Sequence, residues 1–319
     1  MPEQETTNKI LVGISSCLLG EEVRYDGQHQ RDNYIVHTLA RYFEFRSFCP
    51  EVAIGLGIPR PTIRLLEKED KIICVSSKDD SLDYTQALSD VAEQQKNWHQ
   101  QLCGYILKKS SPSCGMERVK VYRKSRASRD GTGIYAARLI QNFPELPVEE
   151  EGRLGDAVLR ENFIQRVYVM HRWRQLLADG LSVNALLTFH ARHKLIIMSH
   201  CQKTYRELGP LVAGARKDNV AAVAAEYFPK LMTALKKRAS RGDHVNVLQH
   251  IQGYLRTALD SEDRVELTEA ISNYRKGQVP LIVPITLLNH HFRRNPDPYI
   301  RDSWYMSPYP AEMSLQNTL

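Results

Sequence analysis

Cys17, Cys49 and Cys114 each follow an apolar, strand-like run: Lys9-Ile-Leu-Val-Gly-Ile-Ser-Ser-Cys17, Phe43-Glu-Phe-Arg-Ser-Phe-Cys49 and Gly104-Tyr-Ile-Leu-Lys-Lys-Ser-Ser-Pro-Ser-Cys114. In an open parallel α/β sheet, loops at the carboxyl ends of the strands gather at one edge, where ligands bind. Three thiolates gathered there could hold an iron–sulfur cluster by three corners, leaving one iron for a substrate atom. Structural zinc sites use four protein ligands and close cysteine pairs, which are missing here. Separations of 32 and 65 residues also lack the compact run of electron-transfer ferredoxins. A cluster acting as a Lewis acid on sulfur suits the pattern better, and would make the chain an enzyme.

Polar residues accompany each cysteine. After Cys17, Val23-Arg-Tyr-Asp-Gly27 places Asp26 in a turn, where it either orients a ligand or simply forms the turn. Cys49-Pro-Glu51 fixes a carboxylate beside the second thiol, able to deprotonate a water or return a proton to a leaving sulfur. Without the cysteine, Glu51 would read as a surface residue. Ser110-Ser-Pro-Ser-Cys-Gly115 crowds hydroxyls around the third thiol, where they can donate to sulfur or substrate. Cys74, Cys103 and Cys201 read as inert small hydrophobes. The polar, acidic start is unlike a secretory signal, and no run approaches about 20 apolar residues. A cytoplasmic location with reduced thiols and no membrane partner is expected.

The elements that must position these groups divide the 319 residues into two domains, 1–155 and 156–319. The first alternates β-rich and helical stretches, which predicts a three-layer α/β domain with a mostly parallel sheet. Strands are expected at 9–15, 43–48, 71–76, 104–108 and 118–123, with helices at 31–42 and 82–102. Residues 120–133 read as a mobile basic loop and 143–152 as a connector. The second domain reads as all-helical, with helices at 156–178, 182–206, 210–226, 228–240, 243–259 and 261–276. Gly209-Pro210 is expected to punctuate two of these.

Charge differs between the halves: residues 1–155 sum to −1 and the remainder to +7. A basic helical half suits a polyanion. Candidate phosphate contacts are Lys124, Arg126 and Arg129 in the first domain, and Arg172, Arg174, Lys194, Lys236 and Lys237 in the second. His190, His193 and His200 share one helical region, but packing explains them better than a metal. Tyr168, Trp173 and Phe189 read as core.

Taken together, Cys17-Leu-Leu-Gly with Val23-Arg-Tyr-Asp-Gly, Cys49-Pro-Glu-Val with Pro59-Arg-Pro, and Ser111-Pro-Ser-Cys-Gly resemble the thiouracil desulfidase family. The resemblance implies a [4Fe-4S] cluster on Cys17, Cys49 and Cys114 with one iron not bound by protein. It also implies Glu51 and Ser111 as catalytic residues, with Ser113 the competing serine and, like Asp26, a substrate contact. Glu161-Asn-Phe-Ile-Gln-Arg-Val-Tyr168, Arg172-Trp and Phe189-His-Ala-Arg-His-Lys194 are similar to the YbgA-like helical domain. The fusion resembles tRNA 4-thiouridine desulfidases, which implies tRNA as partner and removal of sulfur to give uridine. Free thiouracil or thionucleosides, or a non-catalytic cluster-containing nucleic-acid sensor, are the alternatives. The sequence leaves the oligomeric state open.

Overall fold

The computed structural model describes residues 9–124, 126–313 and 315–317. It divides into two compact units between Gly155 and Asp156.

The first unit is α/β and contains two four-stranded sheets. In the first sheet, β1 (Ile10–Ser15), β2 (Phe43–Phe48), β5 (Gly104–Leu107) and β8 (Val148–Glu150) run parallel in the order β2-β1-β5-β8. Val12, Ile14, Tyr105, Ile106 and Leu107 are fully buried, as strands covered on both faces require. Gly13 admits the Tyr105 ring: a Cβ there would lie 2.4 Å from Tyr105 Cδ2. The strands that lead into the three cysteines are neighbours in this order, so their carboxyl ends share one edge.

The second sheet is mixed, in the order β4-β3-β6-β7, and was not legible as such. It comprises β3 (Ile63–Lys68), β4 (Lys71–Ser76), β6 (Val119–Tyr122) and β7 (Ala127–Gly131). The basic stretch read as a mobile loop is therefore an antiparallel hairpin, β6–β7. Arg123 bonds Glu67 at 2.9 Å and Asp130 at 3.0 Å, converting charge into cross-strand pairing. The expected connector contains β8, whose Glu149, Glu150 and Glu151 neighbourhood is buried. Helices α1 (Asn33–His37), α2 (Pro50–Ala53), α3 (Thr85–Gln94), α4 (Lys96–His99) and α5 (Ile134–Asn142) complete the unit. The expected 82–102 helix is thus two helices that break at Gln95.

The second unit is helical: α6 (Ala157–Asp179), α7 (Val183–His200), α8 (Gln202–Ala213), α9 (Val220–Lys236), α10 (Arg241–Gln252), α11 (Ser261–Lys276), α12 (Ile282–Arg294) and α13 (Pro298–Asp302). Asp156, Ser182, Ser240 and Asp260 cap their helices, and Gly277 ends α11 at φ 79°. The punctuation falls elsewhere than expected. Pro210 lies inside α8 and Pro229 inside α9, whose buried Leu208, Val212, Phe228 and Leu231 anchor them despite the missing donors. The real break is Cys201, extended at φ −156° between α7 and α8. No helix among the described residues is long and apolar enough to cross a membrane.

Candidate active site

A cavity of about 290 Å³ opens at the edge where β1, β2 and β5 end, and Cys17, Cys49 and Cys114 all line it. Cys17 lies in a 3₁₀ turn directly after β1, Cys49 caps α2, and Cys114 follows the serine loop beyond β5. The only group of three or more His, Cys, Asp or Glu ligand atoms within 4.8 Å of one another, among the described residues, is Asp263, Glu266 and His291 in the helical unit. At least two of the three cavity thiols therefore lie farther apart than the roughly 3.8 Å that one tetrahedral ion with 2.3 Å zinc–sulfur bonds requires. Three soft thiol donors around this cavity fit a polynuclear iron–sulfur group. Burial pushes the Cys17 thiol up to about 11, partly offset by the Lys108 ammonium. Burial raises Cys49 and Cys114 too. Near neutral pH these thiols carry protons that a bound metal must displace.

Glu51 enters from the first turn of α2, aimed by Pro50 at the helix start. Its Oε2 accepts from Arg60 Nε at 3.0 Å and Nη2 at 2.7 Å, a forked pair whose arginine side chain is 4% exposed. Its Oε1 accepts from Ser113 Oγ at 2.7 Å. Ser113 is fully buried, and its hydroxyl also lies 3.5 Å from Cys114 Sγ. Ser111 Oγ accepts from the Ser113 and Cys114 amides at 3.3 and 3.1 Å, and stands 2.9 Å from Ser113 Oγ. The two serines thus divide the work: Ser111 shapes the cysteine loop, and Ser113 bridges carboxylate and sulfur.

The third loop is held from outside. Glu150 Oε1 accepts from the Met116 amide at 2.8 Å, and Glu151 Oε2 from the Lys109 amide at 2.7 Å while its Oε1 meets Lys108 Nζ. The Lys108 amide donates to Ser15 Oγ at 3.0 Å, joining the first and third loops. Ile134 and Ala136 of α5 donate to the Pro112 and Ser113 carbonyls at 3.1 Å each. Gly133 allows this approach, since a Cβ there would sit 2.5 Å from the Ser113 carbonyl oxygen.

The structure sorts the candidates from sequence. Asp26 is exposed and does not line the cavity; Arg24, Tyr25 and Gln30 do. Asp26 Oδ1 accepts from the Gln28 amide at 3.1 Å, the turn-forming alternative. Lys124, Arg126 and Arg129 are exposed at or near the hairpin tip, and Lys236 and Lys237 are exposed at the end of α9. Arg172 is not a free cation. Its guanidinium lies 3.7 Å from the Trp304 ring centroid and donates to the Pro308 carbonyl, and burial lowers it to about 9. Lys194 packs over Tyr299 at 4.2 Å, and Arg174 is half-buried. His193 bonds the Phe189 carbonyl at 2.7 Å and His200 bonds Gln165 at 2.7 Å, which is packing. Trp173 and Phe189 are core. Sequence reading missed Arg60, Lys108 and the β8 carboxylates. Pro59-Arg-Pro61 was the signal for Arg60, an arginine with fixed neighbours close after Cys-Pro-Glu.

Residues 12–151 match the family model described as 2-thiouracil desulfurase, and residues 194–310 match that of a protein of unknown function, DUF1722. The uncharacterized protein YbgA of Escherichia coli is 34% identical over 154 residues, spanning 48% of this chain and 91% of YbgA. The uncharacterized protein YbbK of Bacillus subtilis is 30% identical over 139 residues, 41% of this chain and 90% of its own. Among solved structures, the [4Fe-4S]-dependent thiouracil desulfidase TudS matches at 32% identity with a TM-score of 0.36, covering 46% of this chain and 93% of that chain.

Proposed function

The chain belongs to the 2-thiouracil desulfurase family over its first half and to the YbgA family over its second, and from that premise we propose that it is an iron–sulfur-dependent desulfidase converting 4-thiouridine in tRNA to uridine and sulfide. The observation that carries this reading is one cavity lined by three thiols from adjacent strand ends and by the Arg60–Glu51–Ser113 chain. Cys17, Cys49 and Cys114 would hold a [4Fe-4S] cluster. Bound there with one iron free of protein ligands, it would supply a Lewis acid for sulfur.

The reaction is a hydrolysis: one water adds oxygen at C4, sulfur departs as hydrogen sulfide, and no external electrons are needed. Glu51 takes one proton of the attacking water and then, as the C–S bond breaks, the second from the new hydroxyl on C4, so that both leave with sulfur. Arg60 fixes one carboxylate oxygen, so the other receives and returns each proton along one direction. Ser113, within reach of both Glu51 and Cys114 Sγ, carries it toward the departing sulfur. Ser111 holds Ser113 and the cysteine loop in place, so Ser113 takes the role first assigned to its neighbour.

The helical half supports a polyanionic substrate through its +7 charge and exposed Lys236 and Lys237; the hairpin adds Lys124, Arg126 and Arg129. Phosphate contacts of this kind position a strand without reading its sequence. The family description favours a second reading, in which the substrate is free thiouracil or a thionucleoside.

The test incubates anaerobically reconstituted protein with tRNA containing 4-thiouridine and quantifies the nucleoside by mass spectrometry and sulfide by colorimetry. Stoichiometric uridine and sulfide are expected, with turnover falling steeply as salt rises. Intact 4-thiouridine alongside a fully formed cluster rejects the desulfidase reading. Equal, salt-independent turnover of the free nucleoside replaces tRNA with a small molecule.

A further inference from the structure

We infer that Tyr25 and Arg24 form a stacking platform for the pyrimidine ring at the mouth of the cavity, an inference that rests on the desulfidase reading. Tyr25 lines the same cavity as the three cysteines and is 42% exposed, so its ring is open to solvent at the cavity. The Arg24 guanidinium stands 5.4 Å from its centroid. Both side chains sit on an ordered turn. The Tyr25 carbonyl accepts from the Arg60 amide at 2.9 Å, and the Gln30 amide donates to the Cys17 carbonyl at 2.8 Å. The platform is thereby tied to the segment that orients Glu51 and to the first thiol. Arg24 is itself held, donating to Gln30 Oε1 at 3.0 Å and to Asp26 Oδ1 at 3.4 Å.

Every base has a π-face, and aromatic and guanidinium planes bind bases through it. A base lying against Tyr25 enters the cavity edge-on, with its exocyclic sulfur leading toward the thiols. Asp26 is then a positioning residue, acting through Arg24 rather than on the substrate.

The test uses holoprotein and two readouts: steady-state desulfuration of 4-thiouridine, and calorimetric binding of uridine, which is not consumed. Tyr25→Ala should raise KM and the uridine Kd about tenfold while kcat changes less than twofold. Tyr25→Phe should restore both. Arg24→Ala should cost about threefold, Asp26→Ala somewhat less, and Asp26→Ala should add nothing in an Arg24→Ala background. Unchanged KM and Kd in Tyr25→Ala, with the parent protein active, overturns the platform and leaves the desulfidase reading intact. If no variant or parent releases sulfide, the desulfidase reading fails, and uridine Kd alone decides the platform: a loss in Tyr25→Ala supports it, no change rejects it.

Discussion

The two units treat buried polar groups in opposite ways. In the α/β unit, Arg60 and Ser113 both bond Glu51, and the three line the wall of a void. In the helical unit, Arg172 lies against Trp304, His193 against Phe189 and His200 against Gln165. Residue type alone does not separate chemistry from packing. An arginine closed off by a tryptophan face is a structural cation, and an arginine that forks onto a carboxylate beside a cavity is part of a site.

The largest effect should come from the thiols. Cys114→Ala should abolish the cluster chromophore and sulfide release together, whereas Cys201→Ser, in the helical unit, should leave both intact. Absorbance after anaerobic reconstitution checks this, and a surviving chromophore in Cys114→Ala breaks the contrast between the units. Next, Glu51→Gln should retain the chromophore and lower turnover by about 10²–10⁴-fold, the usual share of a general base. Ser113→Ala should cost more than Ser111→Ala; the reverse order would return the reacting role to Ser111.

The two halves should also respond differently to pH. Burial holds His190, His200 and His244 near 4 rather than 6.5. Unfolding lets them take up protons below about 6.5, so stability present above that value is lost as the pH falls toward 4. Glu161, pushed by burial up to about 7, works the other way, one group against three. In a Trp98→Phe background only Trp173 and Trp304 remain, so fluorescence reports the helical unit. Its urea midpoint should be lower at pH 5 than at pH 7.5, and an equal or higher midpoint contradicts the neutral-histidine account. Cluster loading should instead improve from pH 7 to 9, because burial raises the thiols that must deprotonate.

The smallest effect concerns phosphate. Lys237→Ala should weaken tRNA binding about uniformly and reduce the salt slope by about one, while Arg172→Ala should leave that slope unchanged and lower stability. Filter binding at several salt concentrations separates them.

Much of the site was legible because apolar runs ending in Cys17, Cys49 and a serine-rich loop before Cys114 announce strands and their carboxyl ends. The missing pieces lacked a local signal. β7 reads Ala-Ser-Arg-Asp-Gly and becomes a strand through pairing with β6 and the Arg123–Asp130 bond. β8 reads Val-Glu-Glu, and only burial against the loop it caps explains its acidity. In the helical half, the starts expected at 156 and 182 coincide with the capping residues Asp156 and Ser182. Pro210 misled because packing outweighed its local cost.

The reliance of the Cys114 loop on Glu150 and Glu151 gives maturation a direction. A chain that ends after residue 120 already has every cysteine of the trio, yet lacks the carboxylates that clasp the Lys109 and Met116 amides. Stable loading is therefore expected only of chains that extend past residue 151, when the last parallel strand can slot beside β5. Released fragments ending at 140 and at 160 should differ sharply in their capacity to be loaded.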